Sequence, residues 1–508
     1  MKIIIPLAST DKDFENKYRK IKHLCNVGLK PMIENFVNHF KFNHEYIFLC
    51  KNKDIIETNL LDIINKLKIK KKKIIPIKKN TTSAIETLFF ADPYIGKNES
   101  ILIAHPDGIN IFFSKNTLSK KLNSNKSDGL IFAFDEDVQT NTSETHTGRL
   151  IYKNNKIIKV VEKSIKSPDT KRMAGVYFFK KWSEFMIHAK ETFVNQSPVR
   201  GRYFISQIYN EYIKKRKKID LFLIKKHIAF GLVSYVDEYN FWHKYFKFNY
   251  NKSPKIKFDF VNLIPSCGNG ERFLKEKSNS FKPLINVDEK TMIEKTIDSL
   301  PRAKKNIIII RKDHDKKYNF SKYLNKTIKN SNVLILNKKT SGMASTCYEA
   351  VKDLPKKTPL LISSCDYSLV FDEKKFLNLI NYLSPDVIIW TFKNYPDARL
   401  SPFAYAYLEI KNGIVKKISE KVPISNNPHE DHIAQGIFYF KSTEIFLKAV
   451  KQMFSKKKTI NNEYYVGNSI NELIKQNYTV LPFQVDQYIC LGSPRDLNVY
   501  KFWYNFFK

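Results

Sequence analysis

At 508 residues the chain is too long for one hydrophobic core of ordinary size, so two domains are expected. Hydrophobic residues at 43% and charged residues at 27% exclude a disordered chain, and no apolar run reaches the roughly 18–20 residues that cross a bilayer, so no membrane span is expected. The net charge of +37 raises a nucleic-acid partner, but lysine is spread along the whole chain beside many Ile and Asn residues, as a low-GC coding bias would produce; no nucleic acid is expected, only a pull on anionic substrates.

The chain opens on Met1-Lys2-Ile3-Ile4-Ile5-Pro6. That apolar stretch is far shorter than a signal-peptide core and reads as a buried strand, which makes the cytoplasm the expected location. The six cysteines form no C-x-x-C pair and no Cys/His cluster of zinc spacing, so reduced, mostly buried thiols are expected.

Further along, Lys22-His23-Leu24-Cys25-Asn26-Val27 reappears as Lys282-Pro283-Leu284-Ile285-Asn286-Val287, and Met32-Ile33-Glu34 as Met292-Ile293-Glu294. The run ending at Asp107 matches the run ending at Asp366, Glu162-Lys163 matches Glu420-Lys421, and the strand-like run through Gly175 matches the one through Gly436. Tyr239-Asn240-Phe241-Trp242 returns as Tyr500-Lys501-Phe502-Trp503. Corresponding positions lie 258 to 261 residues apart over the whole length, which marks a tandem duplication. The polar, proline-containing stretch 249–255 suits a linker, giving domains 1–250 and 256–508.

In the second copy the short apolar runs 260–264, 306–310, 333–336 and 360–362 read as strands, and 291–299, 345–352 and 373–383 as helices between them. Such alternation predicts an α/β architecture, a mainly parallel sheet with helices on both faces and ligands beyond the carboxyl ends of the strands. The first of these strands leads into Ser266-Cys267-Gly268-Asn269-Gly270-Glu271-Arg272. Its two glycines let backbone N–H groups approach a phosphate chain, Arg272 adds a fork of donors, and Lys282 brings a second cation ten residues on.

In this order of elements the chain resembles the sugar-phosphate nucleotidyltransferases, the NDP-sugar pyrophosphorylase family. The resemblance rests on the Gly-rich loop with Arg, Lys282-Pro283-Leu284-Ile285, Met292-Ile293-Glu294, 340–346, Asp366, Glu420-Lys421, the run through Gly436, and Leu491-Gly492-Ser493-Pro494-Arg495-Asp496-Leu497. It implies two tandem glycosyltransferase-A-like, Rossmann-like domains. It implies transfer of a nucleoside monophosphate from a nucleoside triphosphate to a sugar 1-phosphate or similar phosphorylated metabolite, with release of pyrophosphate, in the service of surface polysaccharide assembly. By the same resemblance Gly268, Asn269, Gly270, Thr340 and Gly342 contact the nucleotide, and Arg272 and Lys282 hold its phosphates. Glu420, Lys421 and Gly436 line the place of the sugar phosphate, and Asp366 carries Mg²⁺.

Two departures stand out. Where many members of the family have a second metal-binding Asp, this chain has Cys490 in the second copy and Ala229 in the first, so metal binding rests on Asp366 and the phosphates. The first copy also replaces Gly268, Gly270 and Arg272 with Ser9, Asp11 and Asp13, whose carboxylates would repel a triphosphate, yet it keeps Lys22, Asp107, Glu162 and Lys163. It therefore reads as a degenerate domain that binds a sugar or phosphate ligand or only scaffolds its neighbour, with catalysis in the second. The alternatives are a non-catalytic nucleotide-sugar sensor and a glycosyltransferase of the same fold, although neither Asp366 nor Asp107 begins an Asp-x-Asp. An intramolecular pseudo-dimer is a further arrangement that the duplication leaves open.

Overall fold

Side chains alternate across each central strand, and that alternation builds two cores per sheet. In the opening strand Ile3 and Ile5 enter one buried cluster and Ile4 the other; in the second half Ile307 and Ile309 face one cluster, Ile308 and Ile310 the other. Strands buried on both faces read as continuous runs of Ile, Leu and Val because helices cover both sides of the sheet. A computed structural model describes residues 1–40, 42–113, 115–124, 126–135, 148–154, 156–164, 167–250, 252–275 and 281–508.

By contacts the chain divides into Met1–Asn240 and Phe241–Lys508. In the first unit the sheet runs, edge to edge, through Lys71–Ile77, Glu45–Lys51, Lys2–Pro6, Ile101–Ala104, Thr170–Phe179, Gly129–Phe134 and Ile219–Leu223. Six of these seven strands point the same way, and Thr170–Phe179 alone is reversed. The ribbon Arg149–Lys153 and Lys156–Val161 attaches to the near end of the reversed strand.

The second unit repeats this plan strand for strand. Its order is Ser331–Leu336, Arg302–Arg311, Lys257–Pro265, Leu360–Ser363, Ile433–Phe440, Val387–Phe392 and Val480–Gln484, again with only the fifth reversed, and with Ala406–Lys411 and Ile414–Glu420 as its ribbon. Each unit also has a two-stranded pair, Gly108–Ile111 with Lys226–Ala229 and Tyr367–Val370 with Gln487–Cys490. The fold is thus two tandem Rossmann-like α/β units of the same topology.

Strands read at 260–264, 306–310, 333–336 and 360–362 all form, the first three extended at their amino ends. Helices form at Met292–Ser299, Met343–Val351 and Glu373–Asn378, and the last continues through a wider turn at Leu379–Leu383. At the start of the first, Thr291 N and Thr291 Oγ1 both donate to the Glu294 carboxylate, at 2.8 and 2.7 Å. The contact division falls after Asn240, before the polar stretch that reads as a linker. Residues 241–250 are rich in aromatic side chains and belong to the second unit: Tyr245 Oη lies 3.3 Å from Ser368 Oγ, Asn249 Nδ2 donates to Gln487 Oε1 at 2.7 Å and Tyr250 Oη to Asp288 Oδ2 at 2.9 Å. Asn251, within that stretch, lies outside the described residues. Among the described residues no helix is long and apolar enough to cross a membrane.

Candidate functional site

Three strands of the second unit end beside one another and place the chemistry at their carboxyl edge. The strand Lys257–Pro265 turns into the Gly-rich loop, where Ser266 N donates to Ile309 O at 2.7 Å. Gly270 has φ +68°, and a Cβ there would stand 3.0 Å from Lys282 Cβ, so glycine serves both the turn and the close approach of the lysine stem. Arg311, at the end of the neighbouring strand, donates to Cys267 O at 3.3 Å and to Asn269 Oδ1 at 2.5 Å. The Asn269 side chain therefore braces the loop from within. Arg311 was not singled out from the sequence, because it reads as the polar end of an apolar strand.

Lys282 opens a short helical turn and donates from Nζ to Asp366 Oδ2 at 2.6 Å. Asp366 follows the central strand Leu360–Ser363; its Oδ1 accepts from Ser364 Oγ, and its carbonyl accepts from Leu491 N at 2.9 Å. Burial would raise the Asp366 pKa, but Lys282 overcomes it, and the carboxyl ends below its ordinary value. Lys282 is held above its ordinary value against burial, mainly by Asp366. Gly492 completes the enclosure, since a Cβ there would come within 2.8 Å of Asp366 Oδ2.

A cavity of about 600 Å³ opens over this pair. Its lining includes Arg272, Asp366, Glu420, Gly436, Cys490 and Asp496. Four of the residues read from the sequence thus meet in one cavity, and Lys282 reaches it through Asp366. The cavity is not lined by Gly268, Asn269, Gly270, Thr340, Gly342 or Lys421. Arg272 is exposed and forms no ion pair among the described residues.

Glu420 ends the strand Ile414–Glu420 facing Gly467, where a Cβ would lie 2.9 Å from Glu420 Oε1. Burial, partly offset by Lys421, pushes its carboxyl up to about 7. Lys421 has φ +58°, donates its backbone N–H to Tyr405 O at 2.9 Å, and lays its ammonium 5.2 Å from the Tyr465 ring centre. Gly436 has φ +83° with open space where a Cβ would stand. Cys490 is half-buried beside Asp496, its Sγ 3.3 Å from Asp496 Oδ2, and desolvation with that carboxylate holds the thiol well above its ordinary pKa. Asp496, which also accepts from Ser493 Oγ at 2.6 Å, enters the sequence reading only within the run 491–497 and with no site role, and the structure places it in the cavity.

Thr340 and Thr346 hydroxyls lie 2.5 Å apart, and Gly342, with φ +104°, leads the helix Met343–Val351. A Cβ on Gly342 would stand 2.8 Å from Tyr464 N and 2.9 Å from Tyr464 O, which are backbone atoms held by Ser341 O and Ala344 N. Gly342→Ala is therefore expected to destabilise the second unit by about 1–3 kcal/mol, read as a lower denaturant midpoint at unchanged slope. A midpoint equal to wild type would mean that this contact yields freely.

In the first unit Ser83, with φ −145°, takes the place of Gly342, and Asp11, with φ −135°, that of Gly270; both are ordinary extended conformations. Lys22 Nζ stands 3.6 Å from Asp11 and 3.5 Å from Asp107, and donates to Gly231 O at 3.2 Å. One cation thus serves two carboxylates where Lys282 serves one. Burial would raise the Asp107 pKa, but Lys22 and the neighbouring histidines bring it to about 2. Asp13 is exposed on the helix Lys12–Tyr18. Glu162 accepts from the hydroxyl of Ser206, which stands where the second unit has Gly467.

Residues 261–497 match a family model described as nucleotidyl transferase. A nucleoside-diphosphate-sugar pyrophosphorylase from Vibrio cholerae is similar at 19% identity and a TM-score of 0.39, covering 47% of this chain and 98% of its own. The inositol-1-phosphate CTP transferase from T. maritima is similar at 13% identity and a TM-score of 0.39, covering 49% of this chain and 97% of its own. No curated protein sequence matches the chain.

Proposed function

The second unit carries a domain of the nucleotidyl transferase family, and from that premise we propose that it moves a nucleoside monophosphate from a nucleoside triphosphate to a sugar 1-phosphate or a similar phosphorylated metabolite. An oxygen of the acceptor phosphate attacks the α-phosphorus, the bond from that phosphorus to the pyrophosphate oxygen breaks, and pyrophosphate leaves. Little covalent help is needed, so positioning and charge neutralisation carry the rate. The observation that carries this reading is the Lys282–Asp366 pair at 2.6 Å, at a cavity shared by Arg272 and Glu420.

Arg272, exposed and without an ion partner among the described residues, takes the leaving phosphates. Lys282 holds the reacting phosphate, and its partner keeps it charged in a half-buried setting. Gly268, Asn269 and Gly270 turn the backbone toward the nucleotide, with Thr340 and Gly342 on the nucleoside side. Lys421 binds the acceptor phosphate, while Glu420 and Gly436 face the sugar, whose hydroxyl groups a half-protonated carboxyl both donates to and accepts from.

A hard divalent ion such as Mg²⁺ fits Asp366, which offers carboxylate oxygens, whereas the neutral Cys490 thiol is a poor donor for it. Among the described residues no group of three His, Cys, Asp or Glu side chains would hold a metal unaided, as suits an ion that takes its remaining oxygens from substrate phosphates. When bound, such an ion neutralises charge on the transferring phosphoryl group. The product, an activated sugar, is what glycan-building reactions such as surface polysaccharide assembly consume.

The test is pyrophosphate release over a grid of nucleoside triphosphates and sugar 1-phosphates with Mg²⁺. One pair is expected to turn over at least about tenfold faster than the rest, a margin of roughly 1.4 kcal/mol. A grid with no release at any pair sinks the enzyme and leaves a binding protein, the reading that Cys490 in place of a second carboxylate favours.

A further inference from the structure

The first unit contains a cavity of about 460 Å³ on the side of its altered loop, within the range of small-molecule sites. Part of its lining is uncharged and rich in hydroxyls: Ser9 and Thr10 from the loop, and Thr81, Thr82 and Ser83 ahead of the helix Ala84–Phe89. Tyr177, Tyr203 and Phe204 add aromatic surface. The charges are unevenly matched. Lys22 is already shared between Asp11 and Asp107, so that cluster carries a net negative charge and meets a triphosphate with repulsion. Lys51, by contrast, donates to Thr10 Oγ1 and forms no ion pair with a carboxylate among the described residues. The Lys51 ammonium beside two hydroxyls, with the exposed Arg202 guanidinium also lining the cavity, is a donor set for a single phosphate, and the remaining hydroxyls and rings suit a polyol or a flat ring attached to it.

We propose that the first unit binds a phosphate monoester carried on a hydroxyl-rich group, a nucleoside monophosphate or a sugar phosphate. The phosphate sits at Lys51, Ser9 and Thr10, and the hydroxyls of the ligand lie along Thr81, Thr82 and Ser83. Nothing is transferred in this site. The inference stands apart from the reading of the second unit, since it names different residues and requires no turnover.

The experiment is isothermal titration of the full chain with the 5′-monophosphates of adenosine, guanosine, cytidine and uridine and, separately, with glucose 1-phosphate. It is run on wild type, on Lys51→Met, on Ser9→Glu, which adds a carboxylate at an exposed loop position, and on Lys282→Met as a control in the other unit. A site that weakens about tenfold or more in both Lys51→Met and Ser9→Glu, and is unchanged in Lys282→Met, is expected. Which probe fills it distinguishes the nucleoside carrier from the sugar. Binding that survives both first-unit substitutions, binding lost only in Lys282→Met, or no binding of any probe at millimolar concentration overturns the proposal.

Discussion

Asp366→Ala is expected to lower pyrophosphate release by about 10²–10³-fold, the range seen when one preorganised charge-stabilising group is removed from an active site. The carboxylate sits at the end of the central strand Leu360–Ser363, with Lys282 on one oxygen and Ser364 on the other. Its loss takes away both the candidate metal oxygen and the partner that keeps a half-buried lysine in place. Asp366→Asn, which keeps the shape and one acceptor oxygen, separates the two effects. If charge is what matters it falls nearly as far as the alanine variant, and if only the lysine's position matters it recovers most of the rate. Titration of nucleotide into the same variants reports binding, and binding within about tenfold of wild type beside lost turnover places the defect in the chemical step. Wild-type release from Asp366→Ala would remove this cavity from the reaction.

The second large effect is an opposite response of the two units to acid. In the first unit His23 is 4% exposed, neither ring nitrogen has a hydrogen-bond partner among the described residues, and burial with the neighbouring Lys22 lowers its pKa to about 3. Burial lowers His227 to about 4, against the pull of Asp107, and lowers His105 as well. A histidine whose folded pKa is depressed contributes fully above its unfolded value of 6.5 and loses that contribution as pH falls toward the folded value, because the unfolded chain takes the proton first. At pH 5, about 1.5 units below 6.5, His23 and His227 therefore cost the first unit about 2 kcal/mol each.

Glu420 acts in the other direction. Its folded pKa of about 7 stands above the unfolded value of 4.5, so protonation favours the folded second unit, by about 2 kcal/mol between pH 7 and pH 5. Hydrogen exchange followed from pH 7 to pH 5 is expected to show faster opening in 101–111 and slower opening in 406–420. His23→Phe, which fills the same buried place without a titrating group, is expected to restore about half of the first unit's loss. Equal acid response in both segments would mean that the histidine cluster opens to water at no cost.

The duplication, the strand positions of the second copy and the meeting of Arg272, Asp366, Glu420 and Gly436 were legible because each rests on local signals: glycines at turns, carboxylates at strand ends, and apolar runs at a fixed offset. What escaped was set by distant neighbours. Arg311 braces the loop from the next strand over, and nothing in its own surroundings along the chain points to Asn269. Ser206 closes on Glu162 across 44 residues, and the corresponding glycine, Gly467, leaves Glu420 open. The division after Asn240 was hidden for a related reason. A polar, proline-bearing stretch reads as a boundary, but its first two residues, Asn249 and Tyr250, have their partners in Gln487 and Asp288, more than 35 residues away at the nearest.

Each sheet takes all of its strands from its own half of the chain, 2–223 for the first and 257–484 for the second. Two sheets with the same order and direction of strands are a hazard during folding, because a strand of one copy can pair in the place of its counterpart. Synthesis from the amino end lessens that hazard here. Every strand of the first sheet has been made before the second sheet's first strand, Lys257–Pro265, is complete, so a first sheet that closes on emergence leaves no vacant position for its later twin.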